Sequence, residues 1–403
     1  MEEPVSRLLE EVLSVVGPTG EGLLEGEAGE SRGGDGGWGD DGWDGGDQDV
    51  EGGARRLLTK WEGHHRCFMD KNEKERCHAN VFFFGISKCG TTSFARWLSK
   101  HPSLRWVMSP HPARSPGGEA HVFDASIQTW HRRIKSGRFG DYGLTAPEAS
   151  EEDRVMDYTP HYATMAEVPY RIIERYGRSS FQGGVKYVVL LREPAARTIS
   201  SWQFKFDLRS LEVNFRGDVS EHRSLVDVIE EGQKRVAMLM ECRNKLMPKM
   251  SRPSDMLKMD LLTCNPRKFL EHNMYVSHIG KSMYAEQLER WFTLFGRNNI
   301  KVVFLEDMAV DPIGTLENVF EYMGLDLLDE EGKNGLPSRE DWERIVKISH
   351  NQTDEKKKLL LGDQVTPEIV ESLREYFAPH NSRLQELLGQ PLPSTWTTSS
   401  PEA

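Results

Sequence analysis

Two serines, two threonines and a lysine fall within seven residues, Ser87-Lys88-Cys89-Gly90-Thr91-Thr92-Ser93. That set suits an anion: hydroxyls and backbone N–H groups donate hydrogen bonds, and one ammonium supplies charge. Further along, an apolar run ends in Arg192, and Ser200 follows eight residues later. A guanidinium and a hydroxyl at that spacing can grip a second phosphate from two sides. Both sets point to a phosphate compound held at two places.

The elements around these residues position them. Val81-Phe82-Phe83-Phe84 is an apolar run of strand length before the first set, and Phe94, Trp97 and Leu98 continue at helical spacing after it. This reads as a strand, a phosphate-cradling loop and a helix N-terminus, where the helix dipole favours an anion. A Walker A loop needs lysine directly after its second glycine, followed by Ser or Thr. Here Lys88 stands two residues before Gly90 and Thr91 takes the lysine's place, so the loop is not shaped for the β/γ end of ATP. Lys186 to Leu191 reads as a buried strand, with Ser200 in the helix after it.

Further strand-like runs end near Phe123, Met156 and Leu305, with helical stretches between them. The alternation predicts an α/β fold, a parallel sheet with helices on both faces. Ligands of such sheets sit at the carboxyl ends of the strands, where Lys88 and Arg192 both fall. Residues 208–274 read as a helical insert or lid.

With both motifs in view, the chain resembles the sulfotransferase superfamily, which uses 3'-phosphoadenosine 5'-phosphosulfate (PAPS). The resemblance spans residues 78–396 and implies a P-loop-like sheet in a single domain. It implies that Ser87, Lys88, Cys89, Gly90, Thr91, Thr92 and Ser93 bind the 5'-phosphosulfate, and that Arg192 and Ser200 bind the 3'-phosphate. Lys88 would also neutralise the departing oxygen.

Gly118-Glu119-Ala120-His121-Val122-Phe123 is similar to the Lys-Glu-x-x-Phe-Phe segment of Golgi glycan sulfotransferases, the heparan sulfate type included, whose glutamate is the general base. Glu119, opening a short strand, is the favoured base on this likeness. His121 competes, because cytosolic sulfotransferases use histidine. Gly118 and Val122 depart from the pattern, removing a lysine and an aromatic ring.

Asp157-Tyr158-Thr159-Pro160-His161-Tyr162 resembles the acidic turn lining the acceptor side, which would make Asp157, Tyr158 and His161 substrate-binding. Asp157 either orients the site or caps a turn. The segment from Ser282 to Phe295 and the strand at Lys301 to Leu305 resemble the family's Gly-x-Tyr…Leu-x-x-Trp helix and the strand that follows it. Lys356, Lys357 and Lys358 match the position of a basic loop that folds over the nucleotide; they either touch a phosphate or form a solvated charge run. A helix including Leu373 to Phe377 would stop near Pro379. The implied acceptor is a hydroxyl or amine, on a glycan or alternatively on a small molecule. A P-loop kinase is the remoter alternative.

Bulk properties bound the rest. The chain has 403 residues and a net charge of −12, which argues against a nucleic-acid partner. Residues 1–62 read as an acidic Gly/Asp-rich tail, with a short amphipathic stretch at Leu8 to Val16 and two tryptophans, Trp38 and Trp43. Too little apolar surface is available there to offset ordering entropy. The globular domain is expected at 63–396, with a short tail at 397–403.

The five cysteines, Cys67, Cys77, Cys89, Cys242 and Cys264, show no metal-ligand spacing, so no metal is expected. Cys67 with Cys77 and Cys242 with Cys264 are candidate disulfide pairs, with free thiols the alternative. No signal peptide or membrane span is evident. The resemblance implies the Golgi, and membrane association would need an N-terminal anchor absent from this sequence; a soluble cytoplasmic enzyme is the alternative. Asn351-Gln352-Thr353 fits a glycosylation sequon.

Overall fold

The computed structural model describes residues 67–69, 75–107, 118–125, 130, 145–147, 149–177, 183–208, 223–246, 277–328, 335–348 and 361–396. The expected tails, Cys264, the sequon and Lys356 to Lys358 lie outside the described residues.

Five strands form a wholly parallel sheet in the order β4-β6-β3-β7-β8. They are β3 (Val81–Phe83), β4 (Leu104–Trp106), β6 (Arg154–Tyr158), β7 (Lys186–Leu191) and β8 (Ile300–Phe304). β3 is central, with Val81 facing Met156 on one side and Lys186 on the other. Its three residues are all buried, because helices cover both faces of such a sheet. Aromatic rings fill the space between layers: Phe84 stacks on Trp291 with centroids 3.8 Å apart, and Tyr187 on Phe295 at 4.4 Å.

A separate three-stranded antiparallel sheet joins β1 (Cys67–Met69), β2 (Glu75–His78) and β5 (Thr145–Pro147). Cys67 and Cys77 face each other in its register and form a disulfide. Cys242 is also disulfide-bonded. Free thiols, the alternative reading, do not apply to these three cysteines. Neither this sheet nor the short edge strand β4 was anticipated.

The helices are α1 (Thr91–Leu98), α2 (Val168–Tyr176), α3 (Pro194–Leu208), α4 (Leu225–Leu246), α5 (Tyr284–Phe295), α6 (Leu305–Val310), α7 (Pro312–Met323), α8 (Arg339–Val346) and α9 (Pro367–Leu388). α4 is the described part of the expected helical insert. Among the described residues, no helix is long and apolar enough to cross a membrane.

Two expectations are corrected. Residues 119–123 are not a strand: Ala120 N–H donates to Tyr158 O at 3.2 Å, and His121 at φ 51° then turns the chain away. The last helix does not stop near Pro379 but continues through it to Leu388. The buried positions Leu373, Phe377, Asn381, Leu384 and Leu388 keep one apolar face on both sides of the proline. Packing of that face overrides the lost backbone hydrogen bond.

Candidate active site

The anion loop is tight for local reasons. Phe84 and Ile86 N–H continue the ladder to Val188 and Leu190 O, at 3.0 and 3.4 Å, beyond the end of β3. A Cβ on Gly85 would lie 2.3 Å from Thr91 Cγ2, so α1 can return this closely only over glycine. Lys88 at φ 77° and Gly90 at φ 84° then reverse the chain into α1, whose first helical bond runs from Phe94 N–H to Gly90 O at 3.1 Å. A non-glycine residue at such a φ carries strain of a kind that clusters at functional sites.

Around this loop lies a cavity of about 890 Å³, lined by Ser87, Lys88, Gly90, Thr91, Thr92 and Ser93, and also by Glu119, Arg192 and Ser200. Residues far apart in sequence therefore meet at the carboxyl edge of the sheet. Arg192 Nη1 donates to Lys88 O at 3.2 Å, which ties the two anion motifs together. The Lys88 ammonium sits over the Phe204 ring, 3.9 Å from its centroid, a cation–π contact at the cavity wall. Ala196, Ile199, Ser200 and Gln203 line the cavity as one stripe of α3.

Cys89 is placed differently from its neighbours. Its side chain is fully buried beneath the loop and its N–H donates to Ile86 O at 3.1 Å, so it faces the core and does not line the cavity. Burial pushes its thiol up to about 11, consistent with an inert packing residue.

On the opposite wall, Glu119 lines the cavity and its carboxylate lies 2.8 Å from His121 Nε2. His121 Nδ1 lies 2.6 Å from Asp124 Oδ2, which clamps the imidazole between two acids. Burial opposes its charge, but hydrogen bonds and attraction from Asp124 and Glu119 outweigh that and raise its pKa to about 10. His121 is therefore imidazolium at neutral pH, with no lone pair left to take a proton.

Asp157 and Tyr158 are both 0% exposed, so they support the site from below and do not line it. Asp157 accepts from Thr159 Oγ1 at 2.9 Å and Tyr162 Oη at 3.0 Å. Thr159 Oγ1 accepts His121 N–H at 3.2 Å, while Tyr162 Oη accepts the N–H groups of Val122 and Phe123 at 2.9 and 3.1 Å. Through these two hydroxyls the Asp157 carboxylate is linked to the backbone of His121, Val122 and Phe123. Tyr158 Oη lies 3.3 Å from both threonine hydroxyls, Thr91 and Thr92. His161 contacts Lys281, with Nζ and Nε2 3.5 Å apart, and its ring centroid is 6.4 Å from that of His121.

Several supporting residues carry no sequence signal. Buried Arg197 donates to Ser282 Oγ at 2.5 Å, to Ser87 O at 3.3 Å and to His278 O, pinning the anion loop from behind. Arg171 Nη1 donates to Phe123 and Ala125 O at 2.5 and 2.8 Å. Arg374 of α9 also lines the cavity. Its only hint was a basic residue on the closing helix; the tertiary approach of α9 to α3 decides the matter.

Fold and site thus define an α/β protein in which a tight strand-loop-helix turn and an arginine-bearing strand end meet at one sheet edge. The chain belongs to the sulfotransferase domain family, whose sequence model matches residues 78–359. Among curated proteins it is similar to heparan sulfate glucosamine 3-O-sulfotransferase 3A1 of Homo sapiens, 22% identical over 80% of this chain and 63% of that protein. It is also similar to carbohydrate sulfotransferase 15 of Mus musculus, 22% identical over 81% of this chain and 56% of that protein. The chain thus spans less than two thirds of these relatives' length. A solved sulfotransferase from Alicyclobacillus acidocaldarius overlaps 79% of this chain and 99% of its own, at 18% identity and a TM-score of 0.44.

Proposed function

We propose that the protein is a PAPS-dependent sulfotransferase acting on a hydroxyl or amine of a glycan. One observation carries the reading: Lys88, Glu119, Arg192 and Ser200 line a single cavity beside the amino end of α1. The cavity suits the donor in two respects. Cations and hydroxyls line one part of it, and the apolar side chains of Leu305, Met308, Pro312 and Val346 form another wall suited to a purine. When bound, PAPS supplies the sulfuryl group.

The chain's own residues divide the remaining work. Backbone N–H groups at the start of α1, with the hydroxyls of Thr91 and Thr92, hold the 5'-phosphate. Lys88 places positive charge where the departing oxygen gains negative charge. Arg192 and Ser200 hold the 3'-phosphate. Glu119 takes the acceptor's proton on its carboxylate, while the His121 imidazolium and the Asp157 network fix its direction. The domain is assigned to residues 63–396 on the same reading.

The relatives' names support a carbohydrate acceptor. The Cys67–Cys77 disulfide supports an oxidising compartment such as the Golgi lumen.

The test is thermal shift of the full chain with 3'-phosphoadenosine 5'-phosphate (PAP) against ADP at equal concentration, together with turnover of Lys88→Ala. A ligand at a hundredfold excess over Kd stabilises the fold by about 2.7 kcal/mol. A clear shift with PAP, little with ADP, and a folded Lys88→Ala that binds PAP without turnover are expected. Equal shifts, or near-normal turnover in the variant, sink the reading.

A further inference from the structure

We propose that Arg374 is a specificity-determining residue that, with Arg192 and Ser200, reads the donor's 3'-phosphate; this rests on the donor reading above. Arg374 lines the same cavity as those two residues. Val370, one turn earlier on α9, lines it too, so one stripe of this helix faces the ligand space. The helix is held there by its core face: Leu373 and Phe377 share a buried cluster with Ala195, Ile199 and Trp202 of α3. Arg374 thus approaches from α9 while Ser200 approaches from α3.

The hydrogen bonds of Arg374 are incomplete. Its Nε is buried and makes no hydrogen bond, and its ion pair with Glu371, one turn earlier on the same helix, is loose at 3.9 Å. Glu193 lies close enough for Arg374 to act on its charge. Both Glu193 carboxylate oxygens, however, accept N–H groups at the start of α3, from Ala195 at 3.0 Å and Ala196 at 2.6 Å. A guanidinium with an unsatisfied buried donor beside a cationic grip is poised for an anion.

The charge count favours the same conclusion. A phosphomonoester carries close to two negative charges at neutral pH, whereas Arg192 supplies one positive charge and directs Nη1 to Lys88 O. Lys88 belongs to the anion loop at the other motif. Arg374 supplies the second charge, from a helix outside both nucleotide motifs.

The experiment compares PAP with AMP, which differ only in the 3'-phosphate, by calorimetric titration of the full chain. Wild type, Arg374→Gln, Arg374→Lys and Arg192→Gln are measured at two salt concentrations. Arg374→Gln should weaken PAP by about ten- to a hundredfold while AMP changes by less than about twofold. Arg374→Lys should recover part of the loss, and the salt dependence of PAP binding should fall in the Gln variant. Equal losses for PAP and AMP would mean that Arg374 only packs the helix, and no loss for either would mean no contact; both overturn the proposal. Should Arg374→Gln fail to fold, the PAP-to-AMP ratio of Arg374→Lys decides, an unchanged ratio overturning the proposal. A wild type that does not distinguish PAP from AMP overturns the donor reading itself, and this inference with it.

Discussion

Glu119 borders the cavity while His121, two residues on, is gripped by carboxylates on both ring nitrogens, so changing each has a different consequence. Glu119→Gln keeps the size of the side chain and an oxygen for His121 but cannot accept a proton. It should leave PAP binding intact and lower transfer by about 10²- to 10⁴-fold; transfer near the wild-type rate would reassign the base. Asp157 predicts a pH effect. Burial, only partly offset by hydrogen bonds from Thr159 and Tyr162, raises its pKa from 3.8 to about 7. Between those values the folded protein holds a proton that the unfolded chain has lost, so this group makes stability fall as pH rises across the window. Asp157→Asn should flatten that part of a urea-midpoint profile, and an unaltered slope would show that Asp157 is ionised throughout. Lys88, Arg192 and Ser200 were legible in the sequence as cavity residues because Lys88 and Arg192 follow apolar runs and Ser200 lies at a recognisable spacing from Arg192, whereas Glu119 was reached through a family likeness. The resemblance made Asp157 and Tyr158 substrate-binding, yet both are buried, because a motif reports order along the chain, not which side of a turn faces the cavity. Arg197 and Arg171 were silent for the same reason: their partners lie far away in sequence.

At the scale of elements, the strand-loop-helix unit from Val81 to Leu98 was readable because its apolar period changes at the glycines. The Glu119 to Phe123 segment misled because its alternating apolar residues imitate a strand. Those residues instead rest in a loop held by Tyr162 and Thr159, with His121 at positive φ. α9 misled in the opposite direction, since proline predicts a stop from local rules alone. That conflict yields a prediction. Pro379 is exposed inside a helix whose buried face continues past it, so Pro379→Ala restores a backbone donor without disturbing the core. The variant should be more stable by about 2 kcal/mol, the gain in helix bonding less the greater freedom of the unfolded chain. A lower denaturant midpoint would mean that the kink itself is needed to seat α9 on α3.

At the scale of the whole molecule, the parallel sheet carries the site while the small antiparallel sheet is stapled by the Cys67–Cys77 disulfide, across a sequence separation of 10. A loop of that length should add about 2–3 kcal/mol by restricting the unfolded chain. The Cys67→Ser/Cys77→Ser double variant should therefore unfold at lower urea, and wild type in reductant should move in the same direction. Coincident curves would show that the sheet holds without its bond. The sheet order was only partly legible, because pairing of β4 and β8 at the edges depends on long-range register that no local pattern encodes. The cavity draws its walls from Ser87 to Arg374, so it does not exist until Arg374 has been made. On the function proposed above, donor present during translation could not guide the early strands; it would act as a seal on the finished cavity, and a chain terminated before Arg374 would have no means of competing for it.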